Sequence, residues 1–433
     1  MENKDTLYKV FYFYWFISLF HIPRIIGNFI PPMHILNSFP NLFFLVIIFF
    51  WIFSDNYQKK FSNPAVILFI IYLISMFFST LISRNTGRAR SALIEHFYLL
   101  LRITITLSIF NDHKKSLKFL MLYFHSLIFL GILGVIYDGR ISYIPQLNDE
   151  DAYGPLMAYG ISFAWFLSLS ECKKKNKRKY FILFLFFIFA LGYSHARGAL
   201  IALGVLLVYL LYKHPHKIRT IFKYSILIIL VIFILITYFS ESSFVMELLS
   251  ILDEREMVER REGTGASRLF LWSMALNMLY DNNIFFGVGP NNFGVWLPEY
   301  AEIYRDQQVG LAYYGQVAHN DYITAITELG VVGFLLYIGF IIQFIVFNIK
   351  AQKLINKLIY HNTINFEYLK YSTFQKLKFM TFALQGCLIA TLINHFFYAL
   401  FYYLSFFWLI FILNLVNYQT IRKIYVEEFM DFK

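Results

Sequence analysis

The sequence predicts an all-α integral membrane protein with about twelve transmembrane helices and one large periplasmic loop between spans nine and ten. Three observations carry this. Hydrophobic residues make up 58% of the 433 and mean hydropathy is +0.56, against roughly 45–50% apolar in soluble domains. They fall in runs separated by short polar connections, and lysine occupies alternate connections only. No composition shift or internal repeat divides the chain, so residues 1–433 read as one polytopic domain.

Apolar runs that cross, or nearly cross, about 30 Å of hydrocarbon as helices lie near 7–22, 35–53, 64–83, 91–110, 117–137, 152–170, 180–194, 197–212, 218–239, 319–347, 378–397 and 400–418. The first follows Lys4 and Lys9 without a small-x-small cleavage pattern, so it is expected to be a retained helix. The seventh and eighth are parted only by Gly192 to Gly198, which predicts a tight hairpin. Between the tenth and eleventh, 348–377 is basic and aromatic, with Tyr360, Phe366, Tyr368 and Tyr371 among its lysines. It reads as a cytoplasmic loop folded as an interfacial helical hairpin. Cys172 falls on a cytoplasmic connection and Cys387 within a span, so no disulfide is expected.

Lys and Arg collect on cytoplasmic connections. With both termini cytoplasmic, all 23 lysines fall on that side, as topology determinants and contacts to anionic headgroups. The net charge of +11 then calls for membrane lipid, not nucleic acid. The opposite side has no lysine, yet it receives eleven arginines, from Arg24 and Arg84 to Arg268 and Arg305. Guanidinium presents a planar fork that grips phosphate oxygens bidentately, whereas ammonium is a point charge. An arginine-only outer surface points to a phosphorylated ligand.

The candidate chemistry gathers in and beside the long polar stretch 240–318, since long loops among short ones are usually functional. Its start, 244–262, has the pattern of an amphipathic surface helix. Gly263 to Ser267 reads as a flexible approach with Thr264 or Ser267 as N-cap, which places Arg268 in a helical first turn. A cation there opposes the helix dipole, so an anion explains it better than helix stability, with an ion pair to Glu262 or Asp281 as the alternative. Gly287-Val288-Gly289-Pro290-Asn291-Asn292-Phe293 reads as a turn sequence, with glycines for positive φ and Asn closing local turns. In the outer hairpin, Arg197 opens the next helix beside Gly198 and Ala199, where a headgroup can approach the backbone. His195 stands two residues before it.

His319 stands where the loop re-enters the membrane, and a neutral imidazole is the default general base near pH 7. Asn320 and Asp321 are candidates to orient it. Glu328 lies two to three turns deeper, either functional as an intramembrane acid or paired with Arg102. No ligand spacing for a metal, no Gly-x-Ser-x-Gly elbow and no Walker loop occurs, so neither metal nor cofactor is expected.

At these residues the sequence resembles the O-antigen ligase family. The segments that carry the resemblance are Ser194 to Ala199, Ser267 to Trp272 with Gly287 to Phe293, and His319-Asn320-Asp321-Tyr322 leading to Glu328-Leu329-Gly330. The resemblance implies an inverting, metal-independent transfer of a glycan from undecaprenyl pyrophosphate to lipid A-core at the periplasmic face of the bacterial inner membrane. It assigns His319 as the catalytic base and Arg197 and Arg268 as pyrophosphate-binding residues, with His195, Asn291, Asn320, Asp321 and Glu328 in support. Polymerases that extend a carrier-linked repeat and protein O-oligosaccharyltransferases share these motifs and stay open as alternatives. So does a transporter or flippase for the same lipid-linked glycan, whose best support is Glu95, Arg102 and Glu328. The chain departs from the family pattern at Asp149 to Gly154, which is unusually acidic and leaves the acceptor open.

Overall fold

The computed structural model of the chain describes residues 2–29, 38–54, 57, 60–137, 139–141, 144, 147, 149–194, 196–215, 263–302, 317–364, 368–397 and 406–429. Among them every regular element is a helix. In chain order these are α1 (Glu2–Leu19), α2 (Ile22–Phe29), α3 (Phe39–Ile52), α4 (Pro64–Leu81), α5 (Thr86–Ile109), α6 (His113–Ile136) and α7 (Glu150–Ser170). They continue with α8 (Lys174–Gly192), α9 (Arg197–Tyr212), α10 (Gly263–Asp281), α11 (Phe293–Glu302), α12 (Asp321–Ile364), α13 (Tyr368–Asn394) and α14 (Phe406–Phe429). Eleven of the twelve expected segments overlap these helices, while 218–239 and the amphipathic stretch 244–262 lie outside the described residues.

Five helices, α4, α5, α6, α12 and α13, are long and apolar enough to cross a membrane, and α1 with α2 makes a sixth as a pair bent by 48°. Four of the others fall short for visible reasons. Helices α3 and α9 have only 14 and 16 residues, and α8 and α14 carry charge clusters at one end. The chain is therefore a multi-pass membrane protein whose apolar helices differ in length.

Helix starts are written into the sequence as side-chain caps. Asn63 accepts from Ala65 N, Asn85 from Arg88 N, Asp112 from Lys114 N and Asp149 from Asp151 N, each replacing a partner that the first helical turn lacks. Helix α7 is the central element, buried on nearly every face between α8, α9 and α13. On its far side α13 meets α12, which also packs on α4 and α14. Amides join these helices across the core: Asn348 Nδ2 donates to Thr381 O at 2.9 Å and Asn414 Oδ1 at 3.2 Å, and Gln352 Nε2 donates to Gln385 Oε1 at 2.9 Å. In a lipid surrounding, packing and such hydrogen bonds take the place of the hydrophobic drive. Outer faces bear exposed Leu42, Val46 and Phe49 on α3 and Ile67, Ile71 and Ile74 on α4.

The expected loop 348–377 is largely helical. It is the continuation of α12 and the start of α13, with Ala351, Ile355 and Leu358 buried against Phe374, Leu377 and Ile421. Lysines occupy this end of the bundle, where Lys376 pairs with Glu171 at 3.0 Å, Lys115 covers Tyr8 and Lys213 covers Phe382. Arg84, Arg88 and Arg268 lie at the opposite end, where α4 meets α5 and α12 begins.

Candidate active site

Helix α12 is broken at Gly330, whose φ of 66° and ψ of −175° leave the helical region. The break exposes backbone groups that an intact helix would pair with itself, and buried backbone groups must find other partners. The turn sequence supplies them. Val288 N and Gly289 N donate to the carbonyls of Thr327 at 2.9 Å and Glu328 at 3.0 Å, while Val331 N and Val332 N donate to Ile284 O at 2.8 Å and Phe285 O at 3.2 Å. Only a residue without Cβ fits at 330, because a methyl there would run into the backbone of Phe285 and Phe286.

Glu328 completes the junction. Its carboxylate is 3% exposed and accepts from Asn291 N at 2.8 Å and Phe293 N at 2.9 Å, the second being the first residue of α11. Gly287 and Gly289 take the positive φ expected of them, 70° and 101°, and Asn291 is left-handed as well, with φ 54°. Asn292 reaches away, accepting from Asn85 N at 2.8 Å, and Arg84 both pairs with Glu299 and lies over the Trp296 ring. The connection between α4 and α5 is thus fastened to the loop. The alternative of a Glu328–Arg102 pair is not what the structure shows; Arg102 lies over Phe44, 5.5 Å from the ring centroid.

His319 is also left-handed, with φ 49°, and turns the chain into α12. Trp272 Nε1 holds the preceding carbonyl, Ala318 O, at 2.9 Å. Asn320 caps α12, its Oδ1 accepting from Tyr322 N at 3.0 Å and Ile323 N at 3.1 Å. Asp321 is fully buried and points to α13. Its carboxylate lies 3.0 Å from His395 Nδ1 and accepts from Tyr337 Oη at 3.1 Å, while its N–H donates to His395 O at 2.7 Å. Asn320 and Asp321 therefore engage the helix start and His395, where the sequence suggested contact with the His319 ring. Both fix the backbone on which His319 stands.

Burial and two charged groups act on this imidazole. Burial, first, and then the Arg268 guanidinium hold the His319 pKa below its ordinary 6.5, while Asp149 pulls it upward. Arg268 lies one turn before Trp272 on α10, so the indole that holds Ala318 and the guanidinium share one helix face. The helix begins at Gly263, earlier than expected, so Arg268 stands in its second turn and the helix-dipole argument for an anion no longer applies. Its closeness to His319 takes over that argument.

The turn at 395–397 joins this cluster to the outer hairpin. Asn320 Nδ2 donates to Phe396 O at 3.5 Å, and a Cβ on Gly198 would lie 2.7 Å from Phe397 Cβ. Arg197 is the first residue of α9, whose N-cap Ala196 has no capping side chain, the kind of terminus that favours an anion. His195 and the side chain of Arg197 lie outside the described residues.

Sequence reasoning passed over His395 and Tyr337, which hold Asp321, and Asp149 as a neighbour of His319. His395 was findable as an ionisable residue ending an apolar run; Asp149 needed the fold. Among the described residues no group of three His, Cys, Asp or Glu side chains could hold a metal ion.

Helices and site together define a multi-pass membrane protein with a cluster of arginine and imidazole at one end. A family model described as O-antigen ligase matches residues 182–338, a segment that contains Arg197, Arg268, Asn291, His319 and Glu328. The match supports the ligase and polymerase superfamily, with glycan transfer and lipid-linked glycan substrates in general terms. No curated protein matches the chain.

The junction predicts a graded response at Glu328. Glu328→Ala leaves two buried N–H groups without their acceptor, at about 1–3 kcal/mol each, whereas Glu328→Gln retains an acceptor oxygen. Thermal unfolding in detergent should show a large loss for the first and a smaller one for the second. Equal stability of Glu328→Ala and wild type would remove the carboxylate from its bracing role.

Proposed function

We propose that the protein is a glycosyltransferase of the bacterial cell envelope, transferring an undecaprenyl-pyrophosphate-linked O-antigen glycan to lipid A-core. The observation that carries this reading is a depressed-pKa imidazole, His319, close to the Arg268 guanidinium within the segment that the O-antigen ligase family model matches. An imidazole neutral at pH 7 takes a proton, and a neighbouring guanidinium binds the phosphate that departs.

In this mechanism the acceptor hydroxyl gives its proton to His319 as its oxygen attacks the anomeric carbon. The bond from that carbon to the pyrophosphate oxygen breaks, configuration inverts, and undecaprenyl pyrophosphate leaves with the negative charge. Arg268, with Arg197 at the start of α9, stabilises that charge as preorganised donors. No cofactor or metal ion enters this scheme. The arginine-bearing end faces the periplasm and the lysine-bearing end, with both termini, faces the cytoplasm, an inner-membrane orientation supported by the positive-inside bias.

Transfer assays with purified protein, the lipid-linked donor and either lipid A-core or a second carrier-linked repeat test the reaction. Glycosylated lipid A-core is the expected product. Extension of the carrier-linked repeat alone would make the protein a polymerase, and movement of donor between leaflets without transfer would make it a flippase.

His319→Ala should lower turnover by roughly 10²–10⁴-fold with donor still bound, and Arg268→Lys should lose most activity because ammonium cannot form the bidentate contact. Chelators should leave the rate unchanged. Since the base works when neutral and its pKa lies below 6.5, wild-type activity should persist through pH 6.5 and fall only in more acidic buffer. Asp149→Asn, which keeps the cap and removes the upward pull, should move that acid limb lower still. An unmoved limb would separate Asp149 from the base.

Topology has its own test. The exposed Cys172 should resist an impermeant maleimide in intact spheroplasts, whereas Asp281→Cys in a Cys172→Ser background should react. The reverse pattern would overturn the orientation.

A further inference from the structure

At the 48° bend between α1 and α2 the bundle holds a half-open cavity of about 180 Å³, bounded by α1, α2, α3, α5, α6, α7 and α14. None of its described lining residues belongs to the site around His319. The described lining contains two arginines, Arg24 and Arg102, with Ser18, His21, Asn41 and Ser126 among the further polar groups and no Asp or Glu.

Arg102 is the informative member. It lies in α5, which passes the length and hydropathy test for a membrane span, and a cation at such depth is expensive unless something pairs with it. Its guanidinium lies over the Phe44 ring, and its buried Nε has no hydrogen-bond partner among the described residues. Glu95 senses Arg102 through space, yet it stands seven residues away on the same helix, about 10 Å along the axis, and does not line the cavity.

We propose that this cavity is a second anion site, which binds the phosphoryl group of a membrane lipid between Arg24 and Arg102. Two guanidinium groups match phosphate oxygens bidentately, and Ser18, whose buried hydroxyl has no partner among the described residues, and Asn41 add donors. The space, open on one side, is large enough for a phosphoryl group and its attached atoms. Exposed Phe13, Phe16 and Leu42 on α1 and α3 give acyl chains a surface beside the cavity. Inorganic phosphate shares the headgroup's chemistry without the chains.

The full-length protein, purified in detergent, is titrated with dioctanoyl phosphatidylglycerol, with inorganic phosphate and with uncharged dioctanoyl glycerol. Phosphatidylglycerol should bind saturably. Arg24→Gln and Arg102→Gln should each weaken it at least tenfold, and Arg268→Gln should leave it unchanged, which separates this site from the proposed transfer reaction. Ser18→Leu, which fills the cavity and keeps both arginines, should also abolish binding, with melting temperature and gel-filtration profile confirming that each variant is folded. Inorganic phosphate binding as tightly, with the same arginine dependence, would support the site and assign it to free phosphate. Wild-type affinity in both arginine variants, binding of dioctanoyl glycerol as tight as phosphatidylglycerol, or no binding by the wild type would overturn the proposal.

Discussion

The architecture at the arginine-bearing end depends on one interruption, the departure of Gly330 from helical geometry within α12. A continuous helix would consume the carbonyls of Thr327 and Glu328 internally. Broken, it turns four backbone groups toward the segment 284–289, which answers with two donors and two acceptors. Ser79 Oγ adds a bond to Glu328 O at 2.8 Å. The loop is therefore held by main-chain pairing to a helix buried in the bundle, and α10 and α11 take their places from it.

That arrangement explains why polar residues near the membrane boundary do different work from what their chemistry alone suggests. Glu328, Asn320 and Asp321 are spent on backbone and side-chain partners that define the turn into α12. His319 is set by its neighbours and shifted by burial and Arg268. Neighbours that are themselves locked by hydrogen bonds hold such a side chain in one place.

Helix positions were legible in the sequence because apolar runs and capping residues are local signals. Asn63, Asn85, Asp112 and Asp149 each cap a helix close to where hydropathy turns polar. The positive φ of Gly287 and Gly289 was legible for the same reason. Partnerships were not. Nothing local connects Glu328 to Phe293, 35 residues apart, or Asp321 to His395, and hydrophobic periodicity carries no information on which buried polar groups face one another. The start of α10 was misplaced because small residues such as Gly263 and Gly265 resemble an approach segment, although the structure winds them into the helix.

The turn at 395–397 works as a spacer between two pieces of machinery that never meet along the chain. On one side Phe397 lies against the hydrogen-only face of Gly198; on the other, the carbonyls of His395 and Phe396 hold the start of α12. The gap between the opening of α9 and the His319 backbone is thus gauged by a third element with no chemistry of its own. Any side chain at 198 thickens that gauge, and the whole displacement falls on the separation between the first turn of α9 and the backbone that carries His319.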